Sequence, residues 1–277
     1  MVYRVIILIG VLLLGRNLQA QELYVFSDPA SNIPARSLTA KLGMRLADSE
    51  AATGLKQRYQ PEIMAGLNKH LMVRVSTTFS DIYSQHLQWE SAKAYLKWRF
   101  YTSDALHRHF RLAAFADVAY ADHSMNYEEM SLDGDNTGIQ AGIIATQLVH
   151  KLAVSGSASL MRVFDEKFKS NLHHGMHDQN ALAYNFSIGY LLLPRTYSGY
   201  DQVNLNIYLE ILGMKGLEKG GYYIDLGPSF QLIFASATKL NLGARFETVS
   251  NIERLAGNSY YLSVETSFLN VLKARSK

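Results

Sequence analysis

From Asp201 to Gly213 the chain reads DQVNLNIYLEILG. Val203, Leu205, Ile207, Leu209 and Ile211 alternate with Asn204, Asn206, Tyr208 and Glu210, a period of two that marks a β-strand with one apolar and one polar face. The alternation recurs along the chain and predicts strands near 37–47, 57–67, 71–80, 91–101, 110–121, 138–148, 152–163, 181–192, 202–212, 222–234, 239–249 and 259–269. No segment sustains a helical period.

The connections alternate in length. Asn68-Lys69-His70, Val149-His150-Lys151 and Ala235 to Thr238 read as tight turns, with 102–109 and 193–201 in the same series. Between them lie long polar loops at 122–137 and 165–179. Short turns at one end and long loops at the other are the pattern of an outer-membrane barrel, and an even strand number puts both termini at the short-turn end.

Apolar faces carry Leu38, Leu42, Met44 and Leu46, then Leu71, Val73 and Val75, then Ala92, Ala94, Leu96 and Trp98, with no charge among them. Lys41, Arg45, Arg58, Glu62, Arg74, Lys93, Lys97, Arg99, Arg111 and Asp117 fall on the opposite faces. A soluble β-sandwich also keeps one face free of charge. Strands of about eleven residues exceed the usual five or six of soluble sheets and suit a tilted membrane strand. Aromatics gather at the strand ends, with Phe79, Tyr120 and Tyr184 at one and Phe100, Phe110, Tyr190, Phe234 and Phe268 at the other, as in an interfacial belt. The fold class expected is all-β, an antiparallel up-and-down transmembrane barrel of about 12 strands. It assigns Ile207 to lipid and Asn206 to the lumen, so arginine should be costly at the first and milder at the second. Pro61 and Pro228 fall inside predicted strands, where each should mark a bulge or a local break in the ladder.

Composition adds the compartment. Residues 1–20, MVYRVIILIGVLLLGRNLQA, combine Arg4, an apolar run and Ala20 before Gln21, and read as a cleaved secretory signal peptide. Residues 21–36 form an irregular segment expected at the periplasmic mouth, and 37–277 the barrel. With 0 cysteines, neither acylation nor a disulfide framework supports the chain. A formal charge of +3 is too small and dispersed for nucleic acid.

Three stretches carry a resemblance: ELYVFSDPASNIPARSL, YYIDLGPSFQLIF and YYLSVETSFLN. They resemble a group of outer-membrane β-barrel proteins distantly similar to transporter barrels of the MetA phenol-degradation type. The resemblance spans nearly the whole mature chain and implies an outer-membrane location and small-solute transport, without naming a substrate. Such barrels end on a terminal aromatic, whereas LNVLKARSK follows Phe268 here.

Candidate chemistry is sparse. The expected lumen lining is Arg74, Lys93, Tyr95, Lys97, Arg99, Arg111, Asp117, Glu62, Glu210, Asp225, Arg245 and Glu265. It reads either as a weakly cationic channel favouring anionic or polar solutes, or as ion pairs filling a narrow barrel. His173, His174 and His177 are a candidate copper or zinc site, with His123, Met125 and Met130 in another long loop, although no spacing is diagnostic. Asp133-Gly134-Asp135-Asn136 reads as a turn rather than a calcium loop, since the later Glu is missing. No histidine falls on a predicted strand, which leaves a wall-mounted catalytic triad without its base, so no enzyme and no cofactor are expected. The expected partners are outer-membrane lipids, the barrel-assembly machinery and small solutes. A narrow passive channel is the leading function, with a closed structural or surface-interaction barrel, or metal capture by the loops, as alternatives.

Overall fold

The computed structural model describes residues 24–48, 55–84, 86–122, 127–164, 178–195 and 202–272. Twelve strands follow in chain order: β1 (Ser37–Asp48), β2 (Leu55–Gly66), β3 (Leu71–Ser80), β4 (Gln88–Ala105), β5 (Arg108–Ala121), β6 (Gly138–Val149), β7 (Leu152–Val163), β8 (Asn180–Leu193), β9 (Asn204–Gly216), β10 (Tyr222–Phe234), β11 (Thr238–Ser250) and β12 (Asn258–Phe268). Each pairs antiparallel with its neighbours, and β1 closes on β12 from Leu38 opposite Phe268 to Ala47 opposite Ser259. The wall is a closed barrel, with no free edge to template aggregation.

Alternation decides which side each residue faces. Ile63, Val75, Leu96, Val118, Ile143, Leu160, Ile207 and Phe230 are exposed on the outside. Such a continuous apolar exterior is far larger than a soluble monomer tolerates. Trp98, Phe100, Tyr120, Tyr190 and Phe268 are exposed near the strand ends, and Trp89 stacks on Tyr120 at 6.2 Å. Arg162 and Lys215 are exposed charges close to the loop end of this exterior, where a long side chain reaches past an apolar belt.

Both prolines leave local breaks. Pro61 stays paired with Leu42 on β1, but the β2–β3 ladder lacks pairs between Tyr59 and Glu62. Pro228 faces Leu209 on β9, while β10–β11 pairing is absent between Leu226 and Ser229. Register is unchanged across each gap, so a missing N–H interrupts one ladder without adding a residue. The nearby register shift in β10 lies at Ile224/Asp225.

The strand ends differ slightly from the sequence reading. β4 and β5 each extend further than expected, leaving a tight turn whose His107 adopts φ 57°. His109 therefore lies on β5, contrary to the expectation that no strand carries a histidine. It bonds Asp104 at 2.7 Å near this turn, which is a cross-strand pair next to the hairpin tip.

Residues 24–36 do not join the wall. They run inside the barrel, in the half nearer the short turns, and touch most of its circumference. Ile33 packs on Met64, Met72 and Tyr95, and Ala30 on Ala113 and Ile144. Tyr24 lies against Tyr208 with ring centroids 5.4 Å apart. A Cβ at Gly227 or Gly243 would stand within 2.9 Å of the Phe26 ring, and one at Gly66 would collide with the Pro34 carbonyl. Glycine at these wall positions makes room for the inserted chain.

Candidate functional site

The interior is built from three sources: inward side chains of the wall, residues 24–36, and the β5–β6 loop. Described residues of that loop fold into the other half of the barrel. Met130 and Leu132 are buried with Ala119, Met161, Val163, Ala181, Met214 and Tyr223. A thioether used as packing is not offered to a metal, so Met130 leaves the proposed loop ligand set. His123 and Met125 lie outside the described residues, as do His173, His174 and His177. Among the described residues no group of three His, Cys, Asp or Glu could hold a metal ion.

Asp133 to Asn136 form a turn with Gly134 at φ 119°. Its acids are already engaged: Asp133 with Lys93, and Asp135 with Arg58 at 2.6 Å. Arg58 also meets Glu90 at 3.0 Å, and the Tyr83 hydroxyl donates to Asp135 at 2.9 Å. A second lock joins this loop to the β11–β12 loop. Arg254 meets Glu129 at 3.1 Å, Asp225 at 2.7 Å and Glu247 at 3.0 Å, while Arg245 pairs with Asp225 and reaches Glu129 at 3.4 Å. Burial pushes the Glu129 carboxyl up, but Arg245, Arg254 and Arg45 outweigh it and hold the group below the usual carboxylate range.

Residues 24–36 are held equally specifically. Glu210, fully buried, accepts from the backbone N–H of Val25 at 2.9 Å, that of Phe26 at 3.0 Å and the Ser27 hydroxyl at 2.6 Å. Lys97 donates to the Pro29 carbonyl at 2.9 Å, Arg111 to Ser31 at 2.7 Å, and the Ala30 N–H to Thr146 at 2.8 Å. Arg74 pairs with Asp28 at 3.1 Å and lies 3.5 Å from Glu62, with its guanidinium 4.3 Å from the Tyr95 ring centre. Two further wall pairs are Lys41 with Glu62 at 3.2 Å and Lys239 with Glu265 at 2.9 Å. Arg99 donates to the Lys69 carbonyl at 2.5 Å near the turns, away from the centre.

Between the two insertions lies a cavity of about 360 Å³. Of the residues singled out from sequence, Glu62, Arg74, Lys93, Tyr95, Asp117, Arg245 and Glu265 line it. Lys97, Arg99, Arg111, Glu210 and Asp225 do not; they serve the inserted segment, the turns or the loop lock. Arg45 and Arg58, placed on the inward faces by the sequence pattern, also line the cavity, whereas Glu129 and Asp133 of the β5–β6 loop had no such signal in the alternation. The available signal was the pair of apolar residues, Met130 and Leu132, in an otherwise polar loop.

Asn206 faces inward but is not open to a long side chain. It is 5% exposed and donates to Gln231 at 3.2 Å, which continues to Asn241 at 2.9 Å and Ser263 at 2.9 Å. Arginine there would break a buried chain of amides, a cost that the reading of Asn206 as an open lumen position leaves out.

No protein-family model matches the chain, and no curated protein does. Among solved structures, the COG4313 outer membrane channel from Pseudomonas putida F1 is similar with a TM-score of 0.56 and 11% identity, over 88% of this chain and 100% of that one. The KdgM porin in complex with disordered oligogalacturonate gives a TM-score of 0.47 at 11% identity, over 84% and 99%. Outer membrane phospholipase A from Escherichia coli gives 0.45 at 11%, over 92% and 96%. What this chain shares with the Pseudomonas putida channel, at that identity, is the barrel fold.

Proposed function

We propose that this chain is an outer-membrane β-barrel through which small solutes pass by diffusion, along a lumen narrowed by residues 24–36 and the β5–β6 loop. The observation that carries the reading is the polar cavity of about 360 Å³ inside a wall whose exterior is apolar. A barrel serving only as a scaffold could fill that space with side chains, as small barrels do. The orientation follows from the rule for such barrels: short turns and both termini in the periplasm, long loops outside. The resemblance of the mature chain to transporter barrels of the MetA phenol-degradation type supports the same reading.

Cationic preference in this passage is reduced by pairing. Lys93, Arg74, Lys97 and Arg111 each have an acid, carbonyl or hydroxyl partner. Selectivity set by fixed charge is then weak, and conductance small. Planar-bilayer recording and liposome swelling test the proposal: small current steps and slow swelling with small sugars are expected, and a silent barrel that admits no solute overturns it. A closed barrel presenting its loops is the second reading, favoured by the many hydrogen bonds that hold residues 24–36 in place.

A further inference from the structure

The cavity wall has two unlike sides. Cavity-lining residues of β1 to β5 and of β11 and β12 include Lys41, Arg45, Arg58, Arg74, Arg245 and Glu265. Those of β6 to β9 include Gln140, Ile144, Ser157, Met161, Asn185 and Leu212, and none is charged. Glu210 is the inward acid on β9, and its carboxylate is consumed by Val25, Phe26 and Ser27.

On the charged side one cation stands apart. Arg45 lies between Arg58 on β2 and Tyr261 on β12 in the register of the sheet. Arg58 is engaged by Glu90 and Asp135, and Arg245 by Asp225 and Glu129. Arg45 takes part in none of these pairs, and its Nε is buried without a hydrogen-bond partner. The carboxylates nearest in the field, Glu129 and Asp135, are both committed to other guanidinium groups. A guanidinium whose neighbouring carboxylates are held by other arginines is incompletely satisfied, and a planar anion that accepts its fork of donors completes it. Burial between acids already paired disfavours a dianion, because its second charge finds no free cation. The neutral side of the cavity offers Leu212 and the uncharged Gln140, Ser157 and Asn185 to an uncharged body.

We propose that the cavity is a binding site for a compact monocarboxylate with an uncharged body, the carboxylate on Arg45 and the body against the β6–β9 wall. The inference rests on the passage reading for its biological meaning, but the site is testable without it. Benzoate is the probe, with benzamide lacking the charge, acetate lacking the body and inorganic phosphate as a compact anion of higher charge. Calorimetric titration of the full folded chain in detergent should show saturable benzoate binding and weaker binding of the other three. Arg45→Gln should weaken benzoate by about tenfold or more, the scale of one lost charge-assisted hydrogen bond, and Arg45→Lys should fall between. Ser157→Asp places an acid on the neutral wall and should also weaken benzoate, which keeps the test alive if Arg45→Gln does not fold.

Equal benzoate affinity in the wild type and the Arg45 variants overturns the site. Equal affinity for acetate overturns the role of the neutral wall, and equal affinity for benzamide that of the charge. Liposome swelling with arabinose reads the passage proposal separately. Swelling without benzoate binding rejects only the site, whereas binding to a barrel that passes nothing rejects only the passage.

Discussion

The Glu210 carboxylate accepts a 2.6 Å hydrogen bond from the Ser27 hydroxyl, joining the middle of β9 to a segment that precedes β1. The same carboxylate accepts two backbone N–H groups, so three donors converge on one buried side chain. Replacing Glu210 with Ala leaves the two N–H groups unsatisfied, at roughly 1–3 kcal/mol each, while Ser27 keeps its 2.8 Å contact with Ser187. Glu210→Ala should therefore loosen residues 24–36 and give larger, noisier currents in planar bilayers. Currents identical to wild type reject the latch.

Arg58 holds Glu90 and Asp135 in a region with almost no solvent, Glu90 being 1% exposed. Removing one partner of a buried pair strands the other charge, at a cost of about 3–5 kcal/mol. Arg58→Ala should lower the temperature at which the folded band is lost on an unboiled gel. Adding Glu90→Gln should recover part of the loss, since one stranded charge disappears. Additive losses argue against the pairing.

On the outside, Ile207 is 45% exposed in the apolar face of β9. In lipid, Ile207→Arg should cost about 2–4 kcal/mol if the residue lies near the bilayer midplane. Ser157, which lines the cavity, is the inward comparator, and Ser157→Arg should refold into vesicles with higher yield. Equal yields reverse the assignment of faces.

Acid should unlock the loop end before it unfolds the wall. The folded Glu129 carboxyl titrates below its unfolded value, so its contribution is present in full above the unfolded value of about 4.3 and is lost as pH falls through the folded one. Hydrogen exchange of residues 127–137 should be flat from neutral pH to about 5, after correction for intrinsic rates, and rise in stronger acid. Glu129→Gln should raise it at neutral pH. A rise centred near pH 6 contradicts the direction of the shift.

The wall was legible in the sequence because each strand carries its own evidence: Val203 to Ile211 alternates whatever its neighbours do, and lipid-scale length excludes short soluble strands. The breaks at Pro61 and Pro228 were legible for the same local reason. The interior was not. Whether Asp133 meets Lys93 depends on a loop turning inward across 40 positions of chain, and no periodicity records that. Arg45 and Arg58 sit opposite each other on β1 and β2 and look equivalent as inward cations. Only the placement of Glu90 and Asp135 separates the satisfied one from the unsatisfied one.

The inserted position of residues 24–36 also constrains how the molecule is made. They lead directly into β1, which forms the seam with β12, the last strand to be synthesised. Threading them through a finished ring requires passage past the Arg74 and Lys97 anchors, whereas seating them on β9 before the seam zips requires none. The segment then acts as a mandrel on which the sheet is rolled. Deleting 24–33 should reduce the yield and rate of barrel closure, in addition to opening the passage, and the two effects part company if the missing peptide is supplied in trans after closure.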